Sequence, residues 1–142
     1  MTKNDQTVAF AVGSSTPRIR FLASLSDGRT VIQDDRPKTR HAWGRLGEWL
    51  KANPEIHITE LRLQGQPGSN IEVKMPSNQL GYFLGFKHQI VWPGSSQHTY
   101  LGVGYYDGSN VHIVWHRQPR LDHSYTETRS ASAAGFFLIK NG

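Results

Sequence analysis

Residues 98–117, His98-Thr99-Tyr100-Leu101-Gly102-Val103-Gly104-Tyr105-Tyr106-Asp107-Gly108-Ser109-Asn110-Val111-His112-Ile113-Val114-Trp115-His116-Arg117, decide the fold. Two apolar and aromatic runs flank Asp107-Gly108-Ser109-Asn110, a composition suited to a tight hairpin turn. A two-residue turn pairs Tyr106 with Val111, Gly104 with Ile113 and Gly102 with Trp115 on one face. There the glycines leave room for the large side chains opposite. The other face sets Leu101, Val103 and Tyr105 against His116, Val114 and His112. Neither face reads as plain solvent. Either the pair sits in the middle of a sandwich or barrel, or Leu101, Val103, Tyr105, His112, Val114 and His116 form an interface for a ligand or a second copy.

Working outward, Leu80–Trp92 is a long apolar run that reads as a core strand bent at Gly85. Ile56–Gln64 and Ile71–Met75 form a second hairpin. Arg18–Leu25 and Thr30–Asp34 form a third, in which a two-residue Asp27-Gly28 loop would place Ala23 opposite Ile32 and Arg20 opposite Asp35. His123–Ser132 and Gly135–Lys140 supply one or two final strands. The spacing of Ala42, Trp43, Leu46, Trp49 and Leu50 predicts one amphipathic helix over Thr39–Asn53, with Arg45, Glu48 and Lys51 on its polar side and Pro54 as its stop. Gly44 and Gly47 each weaken that helix by ~1 kcal/mol relative to Ala, so a close approach to a sheet or another chain is expected there.

The fold class expected is α+β. A largely antiparallel, twisted sheet or partly open β-barrel or sandwich of about eight short strands carries the one helix packed across it. Residues 1–17 are expected to form a tail or a loose edge strand around Val8–Val12, and 18–142 one domain.

The 142 residues hold 15 aromatics, enough for a single core, and no stretch approaches the roughly 18 apolar residues of a membrane span. Met1–Thr7 lacks the basic-then-apolar plan of a secretory signal. The absence of cysteine excludes disulfides, thiolate nucleophiles and cysteine-based zinc or iron–sulfur sites, and fits a cytoplasmic setting. A net charge of +5, with Arg outnumbering Lys ten to six, favours an anionic partner.

Seven histidines raise the question of a metal. His112 and His116 share a strand face but stand about 13 Å apart at ~3.3 Å per residue, too far for one ion, and no metal or other cofactor is expected. His57-Ile58-Thr59 resembles one half of the two-histidine phosphoesterase signature, which implies an acid–base role for His57 and phosphate binding by Thr59. The second half is missing, since His98-Thr99-Tyr100 and His112-Ile113-Val114 lack the Thr or Ser hydroxyl at the third position. Phosphate-loop, G-x-S-x-G and H-E-x-x-H motifs are absent from the sequence, and no catalytic residue is assigned.

Arg36, Lys38, Arg40 and His41 gather at the helix start, where helices ordinarily favour acids. Such a cationic cluster at a positive terminus fits an anion. A second set, Tyr82, Phe86, Lys87, His88, Trp92, Tyr100, Tyr105, Tyr106, His116, Arg117 and Arg120, mixes aromatics with cations in the manner of single-strand binding surfaces.

The leading expectation is a non-enzymatic module that engages nucleic acid or a nucleotide through Arg36, Lys38, Arg40 and His41, helped by Arg117 and Arg120. The alternative is a protein-interaction or oligomer-forming factor, such as a small inhibitor or accessory protein of the kind phages encode. A phosphoesterase using His57 is the third reading.

Overall fold

The structure is a computed structural model that describes residues 20–33, 39–65, 71–90, 97–118 and 121–141. Val8–Val12, the Asp34–Lys38 segment, Trp92 and Arg120 lie outside the described residues. In chain order the elements are β1 (Arg20–Leu25), β2 (Thr30–Gln33), α1 (Thr39–Ala52), β3 (Ile58–Gln64), β4 (Glu72–Lys74), β5 (Gly81–Ile90), β6 (Gln97–Tyr106), β7 (Asn110–Arg117), β8 (Ser124–Ser130), α2 (Ala131–Ala134), a 3-10 turn (Gly135–Phe137) and β9 (Leu138–Lys140). They build two open antiparallel sheets. The first has the order β2-β1-β3-β4, the second β8-β7-β6-β5-β9. The class is therefore the expected α+β, mostly sheet with one long helix.

The β6–β7 hairpin has the register that its turn length dictates, with Tyr106 opposite Val111, Gly104 opposite Ile113 and Gly102 opposite Trp115. Asp107 N–H donates to the Asn110 carbonyl at 3.1 Å, and one Asp107 carboxylate oxygen accepts from the N–H groups of Ser109 and Asn110 at 2.9 and 2.8 Å. The turn is thus closed by both backbone and side chain.

The β1–β2 hairpin differs from expectation by one residue. Ala23 pairs with Val31, not Ile32, because the loop has three residues. Gly28 N–H donates to the Leu25 carbonyl at 3.0 Å, Leu25 N–H donates to Arg29 at 2.8 Å, and Gly28 takes φ +92°. That is a turn followed by a left-handed glycine bulge. Since strand side chains alternate, the slip turns Ile32 outward to 55% exposure and turns Val31 inward against the core.

The last strand read from the sequence is also corrected. β8 stops at Ser130, and Ala131-Ser132-Ala133-Ala134 forms α2, because alanine is the best helix former and packs poorly in a sheet. Gly135 at φ +68° then turns the chain into β9.

Two apolar clusters hold the layers together. In the first, Phe21, Ala23 and Leu25 of β1 and Leu61 and Leu63 of β3 meet Trp43, Leu46 and Leu50 of α1 and Tyr82, Leu84, Leu101 and Val103 of the second sheet. The second lies on the opposite face of that sheet, where Phe83, Tyr100, Val111, Ile113 and Trp115 are joined by Ala134 of α2. Strand β5 alternates between the two, which explains its unbroken apolar run. Each fully buried Leu, Ile or Phe contributes about 1.5–3 kcal/mol over exposure.

Two polar links join the sheets. The Asn141 amide accepts from Ile58 N–H at 3.0 Å and donates to the carbonyls of Ile58 and Gln79 at 2.9 Å. The Tyr82 hydroxyl donates to the Pro76 carbonyl at 2.7 Å.

The two helix glycines separate. A Cβ on Gly47 would meet Ile139 Cγ1 at 3.2 Å, whereas one on Gly44 would find nothing within 4 Å. Gly47 has the close approach that its cost implies; Gly44 has none among the described residues. Gly102 seats the indole of Trp115, whose Cζ3 would lie 2.5 Å from an added Cβ. Gly44→Ala should therefore raise stability by up to about 1 kcal/mol, while Gly102→Ala should lower it by about 1–3 kcal/mol through overpacking. Urea unfolding midpoints of the two variants, compared with the parent, check both signs.

Candidate functional site

The open side of α1 borders a groove of about 1460 Å³. Its position follows from how the helix is held. Trp43 is buried, meets Phe21 edge-on with ring centroids 5.5 Å apart, and donates its indole N–H to the Phe137 carbonyl at 2.7 Å. Gly47 brings α1 against Ile139 of β9. One turn earlier, a Cβ on Gly44 would meet nothing within 4 Å among the described residues, and the groove opens between α1 and residues 131–140.

Its floor and walls are largely apolar, with Leu50, Ile56, Leu138 and Ile139 inside and Phe136 at the edge, 79% exposed. Its polar residues are mostly basic. His41, Arg45, Lys51 and Lys140 line it beside a single carboxylate, Glu48, which pairs with Lys51 at 3.2 Å. That exposed pair contributes at most about 1 kcal/mol and leaves the site cationic. Among the described residues Arg45 has no carboxylate partner, and the first turn of α1 holds no acid.

His41 is thus the described member of the basic helix start, and it is exposed on the groove. Arg36, Lys38 and Arg120 lie outside the described residues, as does the side chain of Arg40. Arg117 does not join them. It is half-buried at the end of β7, opposite Tyr100 on the outer face of the second sheet, with its Nε buried and unpartnered.

Of the two outcomes left open for the β6–β7 hairpin, burial within the sandwich and an interface, the described residues show the first for Leu101 and Val103. Leu101 and Val103 are fully buried in the first apolar cluster, because the first sheet and α1 cover that face from within the chain. Tyr105 is half-buried against the same cluster, with its ring 5.1 Å from that of His112. His112 Nε2 meets Asp107 at 2.6 Å. Two backbone N–H groups and His112 hold the Asp107 carboxyl well below the usual carboxylate range. Val114 is half-buried and His116 buried, so the hairpin offers little apolar surface to a second copy.

Strand alternation also divides the aromatic and basic set. Tyr82, Phe86 and Tyr105 point into the first cluster, whereas Lys87, Tyr100 and Arg117 share the outer face. On that face Lys87 Nζ lies 4.2 Å from the ring centroid of Trp115 and 5.0 Å from that of Tyr125. Glu127 gathers the polar groups around it, accepting from Trp115 Nε1 at 2.8 Å and from Arg129 Nε at 2.9 Å, with Lys87 at 4.0 Å. Arg129 chiefly keeps its carboxyl below the ordinary range. Tyr100 and Trp115 are buried beneath this cover, so neither ring is open to a stacking base. Tyr125 and Glu127 escaped the sequence reading, although pairing β8 with β7 puts them opposite Trp115 and Ile113.

His57 is exposed just before β3, and the Thr59 hydroxyl donates to the Ser24 carbonyl at 3.2 Å. Among the described residues no group of three or more His, Asp or Glu could hold a metal ion, and no helix is long and apolar enough to cross a membrane. No protein-family model, no curated protein and no solved structure matches the chain.

His116 gives the fold a pH dependence. Its Nδ1–H donates to the Leu121 carbonyl at 2.8 Å, while Nε2 is buried without a partner. Burial pushes its pKa down from the ordinary value of 6.5. Above that value both states are neutral and the group adds no pH dependence; as pH falls below it, the unfolded chain takes up a proton that the folded site resists. The urea midpoint should therefore decline between about pH 7 and pH 5, and His116→Gln should flatten that decline. Midpoints measured across this range in both proteins check the prediction.

Proposed function

We propose that the protein is a non-enzymatic binding module for an anionic partner, engaged along α1 from its basic start through the groove. One observation carries the reading: the described cations of the groove, Arg45, Lys51 and Lys140, outnumber its one acid, Glu48, and His41 lies beside them. Arg36, Lys38 and Arg40 precede this row in sequence and add to the positive charge of that stretch of chain. An anion at this end also meets the positive dipole of a 14-residue helix.

A nucleic acid or an acidic protein segment satisfies that charge. The protein-interaction reading gains separate support from the exposed ring of Phe136 and the apolar floor, neither of which a phosphate backbone requires. Catalysis has less support: His88 Nδ1 lies 2.9 Å from the Thr99 hydroxyl in an exposed pair, and among the described residues no group of three or more His, Asp or Glu could hold a metal ion.

The reading is tested by fluorescence anisotropy with a single-stranded oligonucleotide and with a Glu-rich peptide. At least one probe should bind and lose affinity at least about tenfold between 50 and 200 mM salt, as expected when several charges are neutralised. Arg45→Glu combined with Lys140→Glu should weaken it by a further factor of about ten while leaving the unfolding midpoint nearly unchanged, since both residues are exposed. Absence of binding by either probe, or binding indifferent to salt and to these reversals, removes the reading.

A further inference from the structure

We infer that the occupant of the groove is an acidic polypeptide segment with apolar anchor residues, laid over α1 at Gly44. The inference rests on the groove being the anionic site proposed above, and it names the class of partner.

Size is the first argument. About 1460 Å³ exceeds the ~300–1,000 Å³ of ordinary small-molecule sites, and a nucleotide would leave most of the groove wet. The second is the chemistry of the lining. Half-buried Ile56 and Leu138 and the exposed ring of Phe136 leave apolar surface in water along the groove, above the buried Leu50 and Ile139, and a partner with apolar side chains gains by covering it. Phe136 at the edge is the most exposed large hydrophobic residue among those described, and with its neighbour Phe137, 4.4 Å away between ring centroids, it offers an aromatic lip to an anchor side chain.

Gly44 supplies the third argument. A glycine inside a helix costs ~1 kcal/mol, and among the described residues no contact requires it, unlike Gly47 against Ile139. A bare position lining a groove lets another backbone come close to the helix, where any side chain would hold it off.

Charge decides which polypeptide. Residues 1–19 carry Lys3 and Arg18 against Asp5, so the chain's own N-terminal segment does not complement the cationic rim. A second copy carries the same +5 charge and the same rim. A separate protein with an acidic amphipathic segment complements both the rim and the floor.

The test begins with selection from a random dodecapeptide display library on the intact protein. Enriched sequences should be net negative and carry at least two large apolar residues. The best of them, synthesised and labelled, should lose at least about tenfold in affinity to Gly44→Leu, to Phe136→Ser, and when its own apolar residues become Ser at unchanged charge. Gly44→Leu fills open space with a good helix former, so its unfolding midpoint should not fall and lost binding reports the groove. Enrichment without acidic bias, or a selected peptide indifferent to Gly44→Leu, overturns the inference. An oligonucleotide that binds more tightly than any selected peptide and is lost in Gly44→Leu overturns the partner class while preserving the anionic site. Failure of every anionic probe, in the salt series as well, brings down the site itself.

Discussion

The indole of Trp43 must be buried without stranding its N–H, and much of the molecule is arranged around that requirement. The ring packs edge-on against Phe21 of the first sheet, and the N–H reaches the Phe137 carbonyl in the turn that follows α2. A single side chain therefore ties α1 to both the first sheet and the segment that covers the outer face of the second. Leaving a buried donor unpaired costs about 1–3 kcal/mol, so this bond fixes where the helix sits as well as whether it packs. With Trp43 held on one side and Gly47 seated on Ile139, the stretch around Gly44 stands clear of the body of the protein. The groove is a product of that geometry.

The second sheet illustrates how one strand pair can serve two cores. Leu101 and Val103 point toward the first sheet and α1, while Gly102 accepts the Trp115 indole from the other side. Because both faces are covered within the chain, the hairpin that looked available for assembly is committed to folding. Its cations are similarly engaged. Lys87 and Arg129 converge on Glu127 above Trp115, an arrangement that closes the second cluster against water. The cations lining the α1 groove are outnumbered by no such acids, which is why the binding reading settles there.

How much was legible depends on where local chemistry was sufficient. The β6–β7 register followed from the sequence because Asp107, Gly108, Ser109 and Asn110 allow a short turn and the strands alternate cleanly on both sides. The β1–β2 register did not, because Ser26-Asp27-Gly28-Arg29 can close as a two- or a three-residue loop, and Asp27 selects the latter by accepting from both the backbone and the guanidinium of Arg29. The basic helix start was legible as charge, and the cost of Gly44 as a broken local rule. That Arg45, Lys51, Lys140 and Phe136 border one groove was not, because Phe136 and Lys140 lie more than eighty residues from Lys51 and nothing local links them.

By itself the sequence determined the alternation that makes strands, the apolar stripe of α1, the tight turn at Asp107–Asn110 and an excess of positive charge. These are properties of neighbours, set by side-chain period, turn geometry and composition within a few residues. Only the tertiary structure decided that Leu101 and Val103 are interior, that Ile32 faces out and Val31 in, and that Gly44 lies open while Gly47 is sealed. The reason is physical: whether a face is covered depends on which distant segment packs against it, and that is a property of the assembled layers, absent from any one stretch of chain.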